Sequence, residues 1–144
     1  MLLESEEATR ALGRSLAAAL RIGDVVALSG GLGAGKTMLA RGILTGLGHE
    51  GEVASPTFPI VIAYELAVPV RHVDLYRIED DSELAELGLE EARGEAALVV
   101  EWPERLEARF LADALALRLD AVGEDARALT ALVPPAWAGR WPPR

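Results

Sequence analysis

The chain has 144 residues, a formal net charge of −9 and no cysteine. That length suits one compact domain, and the missing thiols exclude disulfides, zinc–thiolate sites and cysteine nucleophiles. The acidic balance argues against free-standing nucleic-acid binding, because most of the surface would repel a phosphate backbone. No apolar run reaches transmembrane length, and the amino terminus lacks the basic start and apolar core of a signal peptide, so a cytoplasmic protein without membrane contact is expected.

In chain order, Ser5 followed by Glu6 and Glu7 reads as an N-cap with acidic residues in the first helical turn. Ala8, Leu12, Leu16 and Leu20 recur every four residues, and Gly23 is the expected stop. Val25-Val26-Ala27-Leu28 is an apolar run of strand length. It leads into Gly30 to Thr37, a complete G-x-x-x-x-G-K-[ST] phosphate-binding loop. Leu39, Ile43 and Leu47, flanked by Ala40 and Leu44, then form the apolar stripe of a helix that Gly46 and Gly48 end. Strand, glycine loop and helix thus stand in the order that the motif needs. The glycines let successive N–H groups point inward at an anion, and the helix start adds its partial positive charge. Lys36 is a mobile point charge for phosphate, and the Thr37 hydroxyl is placed to ligate Mg²⁺. Lys36 is also the sole lysine among the 14 Lys and Arg residues. The expected cradle comprises Gly31, Leu32, Gly33, Ala34, Gly35, Lys36, Thr37 and Met38, and the ligand it fits is a nucleoside triphosphate.

After a polar, glycine-containing link, Val53 to Pro59 reads as a loop stiffened by Pro56 and Pro59. Residues 60–64 and 70–76 read as a hairpin turning at Ala67-Val68-Pro69, with His72, Asp74 and Tyr76 on one face of the second strand. Asp80-Asp81-Ser82 caps a short helix that Gly88 closes, and Leu89 to Ala92 adds another turn. Ala96 to Val100 is apolar without interruption, as a doubly covered central strand should be, and it delivers Glu101 at its carboxyl end. Pro103 suits the start of a short helix. Residues 115–119 and 129–133 read as two late strands around a Gly123-Glu124-Asp125 turn. These elements imply a single α/β domain over residues 1–133, a phosphate-loop NTPase with a mostly parallel or mixed sheet flanked by helices. Residues 134–144 form a proline- and tryptophan-rich carboxyl tail.

Triphosphate chemistry also needs a carboxylate near the metal, commonly at the end of an apolar strand beside the loop strand. Glu101 and Asp74 are the two candidates. His72 reads as a structural hydrogen-bonder rather than a general base.

Four motifs together resemble one family. Gly30 to Thr37, Ser55-Pro56-Thr57-Phe58, His72-Val73-Asp74-Leu75-Tyr76-Arg77 and Glu101-Trp102-Pro103-Glu104 occur in the order and spacing of the TsaE (YjeE) ATPases, over roughly residues 5–130. The resemblance implies an ATPase of tRNA threonylcarbamoyladenosine biosynthesis with ATP and Mg²⁺ as cofactors. It works with TsaB and TsaD, touching tRNA only through the complex. Carried over, Lys36 binds phosphate, Thr37 and Glu101 hold Mg²⁺ directly or through water, and Asp74 helps order the metal or the attacking water. Residues 55–57 are similar to a switch-like segment near the γ-phosphate. Thr9 and Glu104 fall where the family contacts the nucleoside, and Arg127 near a basic position beside the nucleotide. This chain departs from the family's usual acidic residue at Gly31, hydroxyl residue at Met38 and threonine at Pro59. Two other classes compete: a small-molecule phosphate-loop kinase and a nucleotide-gated binding module. A kinase typically needs an arginine-rich lid, whereas residues 79–95 hold eight acidic residues and one arginine, Arg93.

Overall fold

The apolar runs in the sequence become the middle of a seven-stranded sheet in the computed structural model, which describes residues 1–31, 33–53 and 60–143. In chain order the elements are β1 (Leu2–Leu3), α1 (Glu6–Ala17), β2 (Val25–Ser29), α2 (Lys36–Gly46), β3 (Val61–Tyr64), β4 (Val70–Asp74), α3 (Asp81–Glu86), α4 (Leu89–Ala92) and β5 (Ala97–Glu101). A 3₁₀ turn (Pro103–Arg105), α5 (Ala108–Leu111), β6 (Leu115–Val122), β7 (Ala126–Leu132) and a second 3₁₀ turn (Pro135–Trp137) follow. The strand order is β1-β7-β6-β2-β5-β4-β3. The four central strands β6, β2, β5 and β4 are parallel, and the outer pairings are antiparallel. This is the mixed, helix-flanked sheet of a single-domain phosphate-loop NTPase.

β5 is buried along its whole length, and β2 along all of it but Ser29, because helices cover both faces of the sheet. Val26 and Leu28 face a core shared with Leu16 of α1 and Leu39 and Ile43 of α2. Val25 and Ala27 face a second core with Leu75, Leu89 and Phe110. Side-chain alternation along one strand therefore feeds two cores.

α1 starts where its cap demands, with the Ser5 Oγ accepting the Ala8 N–H at 3.0 Å. It ends at Ala17, before the expected Gly23. Two tight turns, Ala19 N–H to Leu16 O and Leu20 N–H to Ala17 O, tuck Leu20 into the core, and Gly23 with φ +96 serves the turn into β2. α1 lies unusually close to α2. A Cβ on Gly42 would sit 2.3 Å from the Arg10 carbonyl oxygen, and one on Gly13 2.5 Å from that of Leu39. Only glycine permits this approach, and it holds the start of α1 beside the phosphate loop.

β4 is shorter than the sequence suggests. The Asp74 Oδ1 accepts the Tyr76 N–H at 2.9 Å, an Asx-type turn that ends the strand. Residues 134–143 lie along the domain, with Trp137 fully buried in the α1–α2 core. Among the described residues no helix is long and apolar enough to cross a membrane.

Candidate nucleotide-binding site

The phosphate loop leaves β2 at Ser29 and must cross very close to β6. Gly30 has φ +137, and a Cβ there would lie 2.3 Å from the Leu119 carbonyl oxygen. Gly35, at φ +104, then turns the backbone into the first residue of α2. Lys36 and Thr37 therefore stand in the first turn of a helix whose free N–H groups face the loop.

Lys36 is buried. Its Nζ donates to the Gly30 carbonyl at 2.6 Å and the Gly31 carbonyl at 3.1 Å, and lies 3.7 Å from the centroid of the Trp102 ring. Desolvation pulls its pKa below the ordinary lysine value, and the charges of Glu101, Glu104 and Asp74 oppose that shift. Trp102 immediately follows β5 in a left-handed conformation, φ +60, unusual for a bulky side chain. Its ring also meets that of Tyr76, 4.8 Å between centroids.

The parallel register of β4 and β5 pairs Asp74 with Glu101. Glu101 is buried: its Oε1 accepts the Thr37 hydroxyl at 3.1 Å, and its Oε2 lies 2.6 Å from Nε2 of the fully buried His72. Burial raises the Asp74 pKa above the usual carboxylate value. The Tyr76 N–H bond lowers it, the neighbouring Glu101 charge raises it further, and His72 and Lys36 lower it.

These groups open on a cavity of about 480 Å³. Gly33, Ala34, Gly35, Lys36, Thr37 and Met38 line it from the loop, Asp74 and Glu101 from the strand ends, and Thr9 and Arg127 from the far side. Arg127 donates to the carbonyls of Ala34, at 2.9 Å, and Gly33, at 3.2 Å, so β7 braces the loop. The Met38 sulfur accepts the Arg10 Nε–H at 3.0 Å. Gly31 reaches the site through its carbonyl. Glu104, exposed in the 3₁₀ turn, is outside the cavity lining and acts on Lys36 only through its charge. Leu32 and the switch-like segment 55–57 lie outside the described residues.

Sequence reasoning missed four lining residues, Glu6, Arg41, Trp102 and Asp125. Arg41 had a usable signal, because it stands one helical turn beyond Thr37 on the same face. Glu6 and Asp125 had none, since tertiary packing of α1 and the β6–β7 turn brings them in.

The chain matches the family model described as threonylcarbamoyl adenosine biosynthesis protein TsaE over residues 3–129. It is 46% identical over 122 residues to the tRNA threonylcarbamoyladenosine biosynthesis protein TsaE of Streptomyces coelicolor, covering 81% of this chain and 82% of that one. Its identity to the Bacillus subtilis protein of the same name is 40% over 126 residues, 86% of this chain and 78% of the other. Among solved structures, Bacillus subtilis YdiB superposes with a TM-score of 0.76 at 31% identity, covering 91% of this chain and 82% of that one. Sequence, topology and the order of the site motifs agree, and the chain belongs to the TsaE family.

Proposed function

We propose that this protein binds and hydrolyses ATP, with Mg²⁺, as a component of the machinery that makes threonylcarbamoyladenosine beside the anticodon of tRNA, working with TsaB- and TsaD-like partners. The observation that carries this reading is the convergence of Lys36, Thr37, Asp74 and Glu101 on one cavity at the phosphate loop. The oxygen donors of Thr37 and Glu101, 3.1 Å apart, are hard ligands of the kind Mg²⁺ takes. Among the described residues no group of three or more His, Asp or Glu side chains could hold a metal. That suits a cation whose remaining ligands are phosphate oxygens and water. When bound, Mg²⁺ would neutralise charge on the phosphates.

The chain's own residues do the rest. Lys36 exchanges its loop carbonyls for phosphate oxygens, and the N–H groups of Gly33 to Thr37 bind and orient the triphosphate. Asp74 has Oδ1 fixed by the Tyr76 N–H, which leaves Oδ2 to orient the attacking water. Thr9 and Arg127, on the far side of the cavity, position the nucleoside end. No arginine-rich lid covers the described part of the site, since α3 and α4 are acidic, so hydrolysis by the chain alone is slow and the partners accelerate it. The test is phosphate release with and without TsaB- and TsaD-like proteins, and separately with sugar, nucleoside and shikimate-like acceptors. Stimulation by the partners is the expected result. Stimulation by a small acceptor, with a phosphorylated product and indifference to the partners, would replace this reading with a kinase.

A further inference from the structure

We infer that His72 is a positioning residue, which holds Glu101 in the orientation that keeps its Oε1 available to a nucleotide-bound cation. The inference rests on the magnesium-dependent reading of the site. His72 is fully buried on the same face of β4 as Asp74, and its Nε2 lies 2.6 Å from Glu101 Oε2. That contact occupies one carboxylate oxygen and directs the other at Thr37. A direct chemical role is closed to the imidazole, because it has no solvent exposure and its Nε2 is already committed.

The other ring nitrogen argues that the Glu101 contact is the reason for a histidine here. Among the described residues His72 Nδ1 is buried without a hydrogen-bond partner. Two of its neighbours on that face, Val70 and Val99, are apolar and buried. A branched aliphatic side chain would avoid the orphaned nitrogen, so packing alone favours a different residue. What an aliphatic residue cannot supply is the N–H that fixes Glu101. Groups that orient a metal-holding carboxylate commonly change affinity or activity by about 10–100-fold when removed.

The test measures ATP affinity of the purified full chain by calorimetry across a Mg²⁺ titration and in EDTA. In His72→Leu, the Mg²⁺ concentration needed to tighten ATP binding should rise by about 10–100-fold, while affinity in EDTA stays at the wild-type value. His72→Gln can place an amide N–H where Nε2 stood and should restore most of the loss. His72→Asn, polar but too short to reach Oε2, should behave like His72→Leu and serves if the leucine variant folds poorly. A wild-type Mg²⁺ dependence that persists unchanged in the leucine or asparagine variant overturns the role of His72 alone. Equal losses in all three variants make His72 a packing residue and overturn it too. A wild type whose ATP affinity ignores Mg²⁺ overturns this inference together with the reading beneath it.

Discussion

The two ends of β2 hold charge in opposite ways. At its amino end Asp24 is gripped by both arms of the Arg140 guanidinium, at 2.7 and 3.0 Å. The same Arg140 donates to the Ala19 and Ala136 carbonyls and lies 4.0 Å from the Trp137 ring centroid. The Asp24–Arg140 pair is matched in geometry. Among the described residues the groups here without a hydrogen-bond partner are the Trp137 indole N–H and Oδ1 of Asp113, whose Oδ2 accepts from the Arg93 that also donates to the Gly23 carbonyl. At the carboxyl end two carboxylates stand side by side, Lys36 is desolvated, Trp102 is left-handed and His72 has a ring nitrogen with no partner among the described residues. The amino end closes its main ion pair without a ligand. The other is arranged for an anion and a cation that arrive together, which is where strain and unpaired groups belong in a functional protein.

This contrast predicts that substitutions at the two ends separate activity from stability. The largest effect on activity belongs to Lys36→Ala. It should abolish hydrolysis and weaken ATP binding by roughly 1.5–3 kcal/mol, the scale of one charge-assisted contact, with no fall in the urea midpoint. Unchanged calorimetric affinity in a folded variant would remove Lys36 from the site. Next, Glu101→Ala should lower magnesium-dependent turnover by more than the roughly 10–100-fold of an outer-shell partner, with ATP affinity in EDTA little changed. Turnover at the wild-type rate with normal Mg²⁺ dependence would leave Asp74 as the main carboxylate.

How much of this was legible in the sequence follows from how local each signal is. The phosphate loop was legible because strand, glycines and helix adjoin along the chain. Glu101 was legible because Ala96 to Val100 is uninterrupted and ends on it. The apposition of Asp74 with Glu101 was not, because it depends on the β4–β5 register, which pairs residues far apart in sequence. The same register hid the partner of His72, although alternation had already placed His72 and Asp74 on one face. Thr9 reaches the cavity only through the contact of Gly13 and Gly42 across α1 and α2, and Arg127 only through the turn between β6 and β7. β1 is two residues long, below what periodicity can detect. Composition marked residues 134–144 as a tail, yet Trp137 fills the core, because an aromatic side chain buries on contact complementarity that no linear pattern encodes.

Trp137→Ala tests the amino end. Emptying a fully buried indole site should cost about 3–5 kcal/mol of stability. Arg140→Ala should cost less, about 1–3 kcal/mol, by leaving Asp24 without a charged partner. Urea unfolding reads both, and ATP affinity per folded molecule should not change. A loss of affinity matching the loss of stability would mean the two ends are coupled through β2 and the contrast is false.

The smallest effect, and the sharpest in sign, is the stability of Asp74→Asn without nucleotide or metal. Burial raises the folded-state pKa of Asp74 above its unfolded value, so the fold disfavours the ionised carboxylate. Its contribution is therefore full below the unfolded pKa, about 3.9, and is lost as pH rises through the folded value. Asparagine never ionises, and its side-chain oxygen can still accept the Tyr76 N–H. The variant should match the wild type in acid and become the more stable protein as pH rises towards neutrality, while losing hydrolysis. Thermal midpoints of both proteins from mildly acidic to neutral pH read this directly. A gap that stays constant with pH would mean that Asp74 is not penalised for its charge. A variant less stable at neutral pH would mean that the carboxylate is held by attraction, and the carboxyl end of β2 would then be as well satisfied as the amino end.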